Sequence, residues 1–167
     1  ARAEGQACEN IRNYAYATAS LADAELARGR FDRAKELYSE AIRICSDEVP
    51  DESLAALSIA GLAGALLGLG EVQEADSFSQ RALYIAESIG NPYEIGMCLL
   101  QHSAIASAAQ DHSTAIAAAR RAIKLFEIID GEASLRLGYY RLALAQFRAN
   151  RRGEAQLTLQ ELQPLIR

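Results

Sequence analysis

The feature that most constrains this chain is a set of small residues recurring every 40 or 41 positions. Ala34, Ala75, Ala115 and Ala155 stand 41, 40 and 40 residues apart. Seven residues after each come Ala41, Ala82, Ala122 and Leu162, and twelve before each come Ala22, Ala63, Ser103 and Ala143. Between the members of each set lies a short break: Gly29-Arg30-Phe31, Gly70-Glu71-Val72, Gln110-Asp111-His112 and Asn150-Arg151-Arg152. Small residues at fixed offsets on either side of a break are what two closely crossing helices require, because axes ~8–10 Å apart leave no room for large side chains. A unit of this kind repeated along a chain makes a solenoid of stacked helix pairs.

Punctuation between the repeats agrees. Asp47-Glu48-Val49-Pro50-Asp51, Gly90-Asn91-Pro92 and Asp130-Gly131 are turn-forming clusters. The intervening stretches are rich in Ala, Leu, Arg and Glu, with apolar residues at three- and four-residue spacing and no β-branched runs. Helices are expected at about 9–28, 31–46, 51–68, 71–88, 92–109, 112–129, 132–149 and 152–166. The expected fold is all-α, a right-handed α-solenoid of four antiparallel helix pairs. Residues 1–8 form an N-terminal extension and 9–167 one domain, with repeats at about 9–46, 51–88, 92–129 and 132–166.

Composition narrows the function. The chain is 50% hydrophobic and 23% charged, with a net charge of −5, so a general attraction to nucleic acid or anionic lipid is not expected. No apolar run reaches the ~18–20 residues of a membrane span. The three cysteines, Cys8, Cys45 and Cys98, form no close pair, which points to a reducing cytoplasm rather than a disulfide framework. Arg outnumbers Lys fifteen to two and Ala is abundant, the usage of a GC-rich, bacterial genome. The chain begins without Met, which suggests a piece of a longer protein.

The first two repeats resemble the tetratricopeptide repeat (TPR). The first reads Leu21-Ala22, Gly29-x-Phe31-x-x-Ala34, Tyr38 and Ala41, and the second Leu62-Ala63, Gly70-x-Val72-x-x-Ala75 and Ala82. The third and fourth depart from the pattern: Gln110 and Asn150 replace the turn glycine, and His102 replaces the leucine. The common TPR is 34 residues long; the ~40-residue form is similar to the sensor or interaction regions of MalT-like LuxR-family regulators, Rap-type regulators and LGN/Pins scaffolds. The phrase from Ala82 to Glu94 looks like the junction in such arrays.

The resemblance implies a non-catalytic protein- or peptide-binding module, the interaction or sensor region of a bacterial regulator, with no cofactor. First helices of the pairs would line a groove, and its candidate contacts are Tyr16, Leu26, Leu67, Met97, Leu100, Tyr140, Leu144 and Phe147. The transferred set is mostly apolar, with Asp23 its single carboxylate and Arg148 its single cation. That composition rules out the Lys/Asn/Arg clamp of chaperone-binding arrays and suits an amphipathic helix or a neighbouring domain. Two alternatives stand beside it: self-association through the apolar last helix (Leu157, Leu159, Leu162, Leu165, Ile166), and small-molecule sensing. That last helix also reads as cut rather than capped, as in an array that continues.

Chemistry has little support. Cys98 and His102 are four apart on one helix and His112 starts another, but without paired carboxylates or a second cysteine they make a poor metal site. Gly61-x-x-Gly64 and Gly68-x-Gly70 lack the Lys and Ser/Thr of a phosphate loop. Arg120-Arg121 and Arg151-Arg152 read as surface charge.

Overall fold

A computed structural model describes residues 2–129 and 131–166 of the chain. Asp130, half of the expected Asp130-Gly131 turn, lies outside the described residues. Eight α-helices run in order among the described residues: α1 (Arg2–Ala27), α2 (Phe31–Asp47), α3 (Glu52–Gly68), α4 (Val72–Ile89), α5 (Pro92–Ala108), α6 (His112–Ile128), α7 (Glu132–Arg148) and α8 (Arg152–Leu162). A 3-10 turn, Gln163–Ile166, follows α8. Pro164 accounts for that change, since its ring removes the N–H an α-helix needs. Helix α1 begins well before the expected residue 9; Arg2 to Cys8 holds no proline, and Gly5 is tolerated within the helix. The chain divides into two compact units, Ala1–Ile89 with α1–α4 and Gly90–Arg167 with α5–α8.

Each expected break is the same device. Gly29 N–H bonds the Leu26 carbonyl and Arg30 N–H that of Glu25, both at 3.0 Å. Matching pairs close α3 (Gly70 to Leu67, Glu71 to Leu66), α5 (Gln110 to Ser107, Asp111 to Ala106) and α7 (Asn150 to Phe147, Arg151 to Gln146). This double bond pattern satisfies the last carbonyls of a helix and needs one left-handed residue. That residue has φ 73° at Gly29, 82° at Gly70, 66° at Gln110 and 60° at Asn150. The third and fourth repeats therefore keep the turn without glycine. Helix starts are capped by side chains at α3 (Asp51 accepts from Leu54 N–H, 2.9 Å), α5 (Asn91 from Tyr93 N–H, 3.0 Å) and α6 (Asp111 from Thr114 N–H, 3.1 Å).

The recurring small residues are the buried contacts of the hairpins. Ala22, Ala34, Ala41, Ala63, Ala75, Ala82, Ala115 and Ala122 have no exposed surface. Ser103 takes the alanine position in the third repeat and satisfies its hydroxyl by donating to the Ala115 carbonyl at 2.7 Å.

Within the first unit, hairpins stack by aromatic rings laid on glycines. The ring of Phe31 lies against Gly68 and that of Tyr38 against Gly61; the rings are seven residues apart on α2 and the glycines seven apart on the antiparallel α3. A Cβ at either glycine would collide with the ring. In the second unit Phe126 lies against Gly96 in the same way, and Ile123 against Gly138. The first unit's core includes Ala15, Ala19, Ala41, Ile44, Cys45 and Leu54. The second unit's core gathers Ile116, Ala119, Ile123, Leu142 and Ala145. No described helix is long and apolar enough to cross a membrane.

Candidate functional site

On the first unit, α1 and α3 present a recess of about 160 Å³ lined by Tyr16, Ala19, Ser20, Asp23, Tyr38, Leu54, Leu57 and Ser58. Tyr16 is 45% exposed and its hydroxyl donates to Asp51 at 3.2 Å. Tyr38 comes from α2, lies almost wholly buried, and donates its hydroxyl proton to Asp23 at 2.5 Å. Burial first, then the Asp23 bond and charge, hold the Tyr38 phenol protonated far above its usual range. Burial followed by the Asp51 charge raises Tyr16 as well. Ser58 sits below them, buried, with its hydroxyl lacking a hydrogen-bond partner. Of the sequence candidates on this unit, only Tyr16 lines the recess; Leu26 and Leu67 are half-buried elsewhere on their helices.

On the second unit, Tyr140, Leu144 and Phe147 do come together. They stand at helical spacing on α7 and form a cleft of about 210 Å³ with Ala143, and with Ala155 and Leu159 of α8. Its walls are almost entirely apolar, yet Tyr140 is 51%, Phe147 59% and Leu159 50% exposed. At the C-terminal end of α7, Arg148 reaches the buried Ser107 hydroxyl of α5 at 3.3 Å. Met97 is half-buried and outside the cleft.

Leu100 is corrected: it is 3% exposed and belongs to the core, so it offers a partner no surface. Ser58 was not among the sequence candidates, and Leu159 was one for self-association but not for the groove. Leu159 carries a visible signal, an apolar residue at the position where the first repeat has Tyr38; Ser58 has only its place as a hydroxyl in an Ala/Leu helix.

Of the thiols, Cys8 is exposed and Cys45 and Cys98 are buried. Cys98 is fully buried, and burial followed by the Glu94 charge pushes its thiol up to about 12, where it is protonated at neutral pH. No group of three His, Cys, Asp or Glu residues among those described could hold a metal ion. Arg120 and Arg151 both pair with Glu154, at 3.2 and 3.6 Å, on the surface of the second unit.

No family model and no curated protein matches the chain in sequence. Solved structures do match in shape. Aspartyl phosphate phosphatase F from Bacillus subtilis, a Rap phosphatase, is similar with a TM-score of 0.78 and 17% identity over 92% of this chain. The chain spans 40% of that structure's length. BtubC (BKLC) from P. vanneervenii gives 0.71 and 20% identity, covering 96% of this chain and 71% of its own. A putative kinesin light chain from Podosopora anserina with nearly identical TPR-like repeats gives 0.57 and 16%, covering 92% and 95%. At such identities the likeness is one of fold, and the chain has the fold of an all-α array of TPR-like helix pairs.

Proposed function

We propose that the chain is a non-catalytic module that binds a protein or peptide, serving as the interaction or sensor region of a bacterial regulatory protein. The observation that supports this most directly is the apolar cleft of the second unit. Two aromatic rings and a leucine stand half in solvent around it, a state that apolar surface leaves when a partner covers it. An amphipathic helix with anchors at three- and four-residue spacing fits a cleft between two antiparallel helices. The partner would be held by reversible burial of Tyr140, Leu144, Phe147 and Leu159, with no covalent step. The Arg-over-Lys, Ala-rich composition supports the bacterial assignment.

The test is a double substitution, Tyr140→Asp with Phe147→Asp, read against a library of amphipathic helical peptides. Binding should be lost while far-ultraviolet circular dichroism is unchanged, because both side chains are more than half exposed. Unaltered binding would remove the cleft from the function. Leu100→Asp is not a suitable probe, since it places a charge in the core.

Self-association has one observation in its favour. Leu157, Leu159 and Ile166 are 62%, 50% and 67% exposed at the end of the second unit. Light scattering over a concentration series separates the two: a dimer that Leu159→Glu dissolves supports self-association, and a monomer at high concentration excludes it.

A further inference from the structure

The recess on the first unit differs in chemistry from the apolar cleft. Its walls are the alkyl groups of Ala19, Leu54 and Leu57, and its polar groups are Tyr16, Ser20, Asp23, Tyr38 and Ser58, with the Ser20 proton already given to the Tyr16 carbonyl at 2.9 Å. Both tyrosine protons are already committed, Tyr38 to Asp23 and Tyr16 to Asp51. What the phenols can still offer is lone pairs. The Asp23 carboxylate is an acceptor that spends one oxygen on Tyr38 and has no cation within ion-pair distance among the described residues. Ser58 Oγ, in a residue only 1% exposed, has no partner, although a helical serine can bond the carbonyl four residues back. A buried hydroxyl left unsatisfied is a polar group in want of a ligand or an ordered water.

The recess is therefore rich in acceptors, carries one negative charge on the exposed Asp23 carboxylate, and is walled by hydrocarbon. A neutral amide would leave that charge without a counter-ion. A guanidinium needs acceptors in one plane, whereas a tetrahedral ammonium turns its three N–H groups towards acceptors on different sides. A divalent cation would need several carboxylates or carbonyls, and only one carboxylate lines the recess.

We propose that the first unit's recess binds a primary alkylammonium group, presented by a lysine side chain of a peptide segment lying on that unit, with Asp23 as counter-charge and Ser58 Oγ and the tyrosine oxygens as further acceptors. The lysine stem lies along Ala19, Leu54 and Leu57. This rests on the peptide-binding reading given above and adds a sequence requirement to it.

The test titrates n-butylammonium into the isotopically labelled full chain and follows backbone amides by NMR. Saturable shifts at Ala19, Ser20, Asp23, Leu57 and Ser58, absent with n-butanol and weakened by salt, are expected. Asp23→Asn keeps an oxygen for the Tyr38 proton but removes the charge, and should weaken binding by about tenfold or more. Ser58→Ala should weaken it several-fold without lowering the urea midpoint, since it deletes an unsatisfied hydroxyl. No saturable shift, or equal binding by Asp23→Asn, overturns the proposal and leaves water as the occupant. A random-peptide library panned on the full chain and on Asp23→Asn separates this failure from that of the module itself. Peptides that lack lysine and bind both proteins alike overturn the ammonium site while the module stands. Ammonium binding with no peptide enriched removes the module, and the lysine presentation with it.

Discussion

Replacing Gly61 with Ala tests whether hairpins in the first unit are joined by rings seated on glycines. In an exposed helix the change stabilises by about 1 kcal/mol. Here the new Cβ would sit on the Tyr38 ring, and only 2.7 Å from its Oη. The ring has nowhere to go, because Tyr38 is 1% exposed and its hydroxyl is tied to Asp23. Relief requires either spreading α2 from α3 or breaking the phenol–carboxylate bond. Overpacking costs about 1–3 kcal/mol, and a hydrogen bond to a charged group contributes about 1.5–3 kcal/mol. Against the propensity gain, the net expectation is a loss of about 2 kcal/mol, or a fall in Tm of about 4–8 °C for a chain of this length.

Urea unfolding followed by circular dichroism gives the number, with an unchanged m-value showing that stability alone has moved. The partner mutation sharpens it. In a Tyr38→Leu background the same Gly61→Ala change should be close to neutral or stabilising, so the cycle should show a coupling of at least ~1 kcal/mol. Gly153→Ala is the internal control: no atom lies within 4 Å of its added Cβ, so it should stabilise by up to ~1 kcal/mol. If Gly61→Ala stabilises like Gly153→Ala, or costs the same with and without the Tyr38 ring, the account of the α2–α3 contact is wrong.

Other expectations follow from the turns, caps and thiols. Gln110→Gly should raise stability by roughly 0.5–1 kcal/mol in urea unfolding, because Gln110 holds φ 66°, and Asn150→Gly should gain less because asparagine tolerates that region. Hydrogen bonds from Thr114 and Ser113 hold the Asp111 carboxyl down from 3.8 to about 2. Its folded pKa lies below its unfolded one, so the cap's contribution is complete above ~4 and is lost as pH falls towards ~2. Asp111→Asn, which cannot ionise, should flatten that part of the curve of urea midpoint against pH. A thiol reagent at neutral pH should modify Cys8, which is exposed, rapidly and Cys45 and Cys98 only after unfolding; fast loss of all three thiols would contradict their burial.

Much of the fold was legible because its rules are local. A small residue where two helices cross and a left-handed residue after a helix each leave a mark at a fixed offset, and repetition makes the marks readable. The third and fourth repeats show how far this goes. Gln110 and Asn150 hide the turn from a search for glycine, yet they occupy the same register and the same backbone region as Gly29 and Gly70. Ser103 looks like a departure from alanine until its bond to the Ala115 carbonyl is seen. By contrast, no sequence rule pairs Phe31 with Gly68 or Tyr38 with Gly61. Those partners lie on different hairpins, and the glycines alone read as weak points in a helix.

The candidate site was legible only in part, because a repeat register fixes where a residue points and not what lies opposite it. Ala19, Ala60, Leu100 and Tyr140 occupy one position of the four repeats, three residues before the small residue of the first helix. The first three are 8%, 6% and 3% exposed, while Tyr140 is 51% exposed. Leu26, Leu67, Ser107 and Phe147 share another position, and there too only Phe147 is largely exposed. Equal register with unequal exposure means that surface open to a partner is not spread evenly along these repeats. The two sites proposed above lie where a large side chain falls at a position whose neighbours leave it uncovered, as on α7, and where a polar one is buried without a partner, as at Ser58. The first case can be guessed from Tyr140 and Phe147, since rings at positions held elsewhere by smaller side chains stand out. The second cannot, because whether a hydroxyl in an Ala/Leu helix bonds its own backbone is decided by a rotamer and leaves no trace in the sequence.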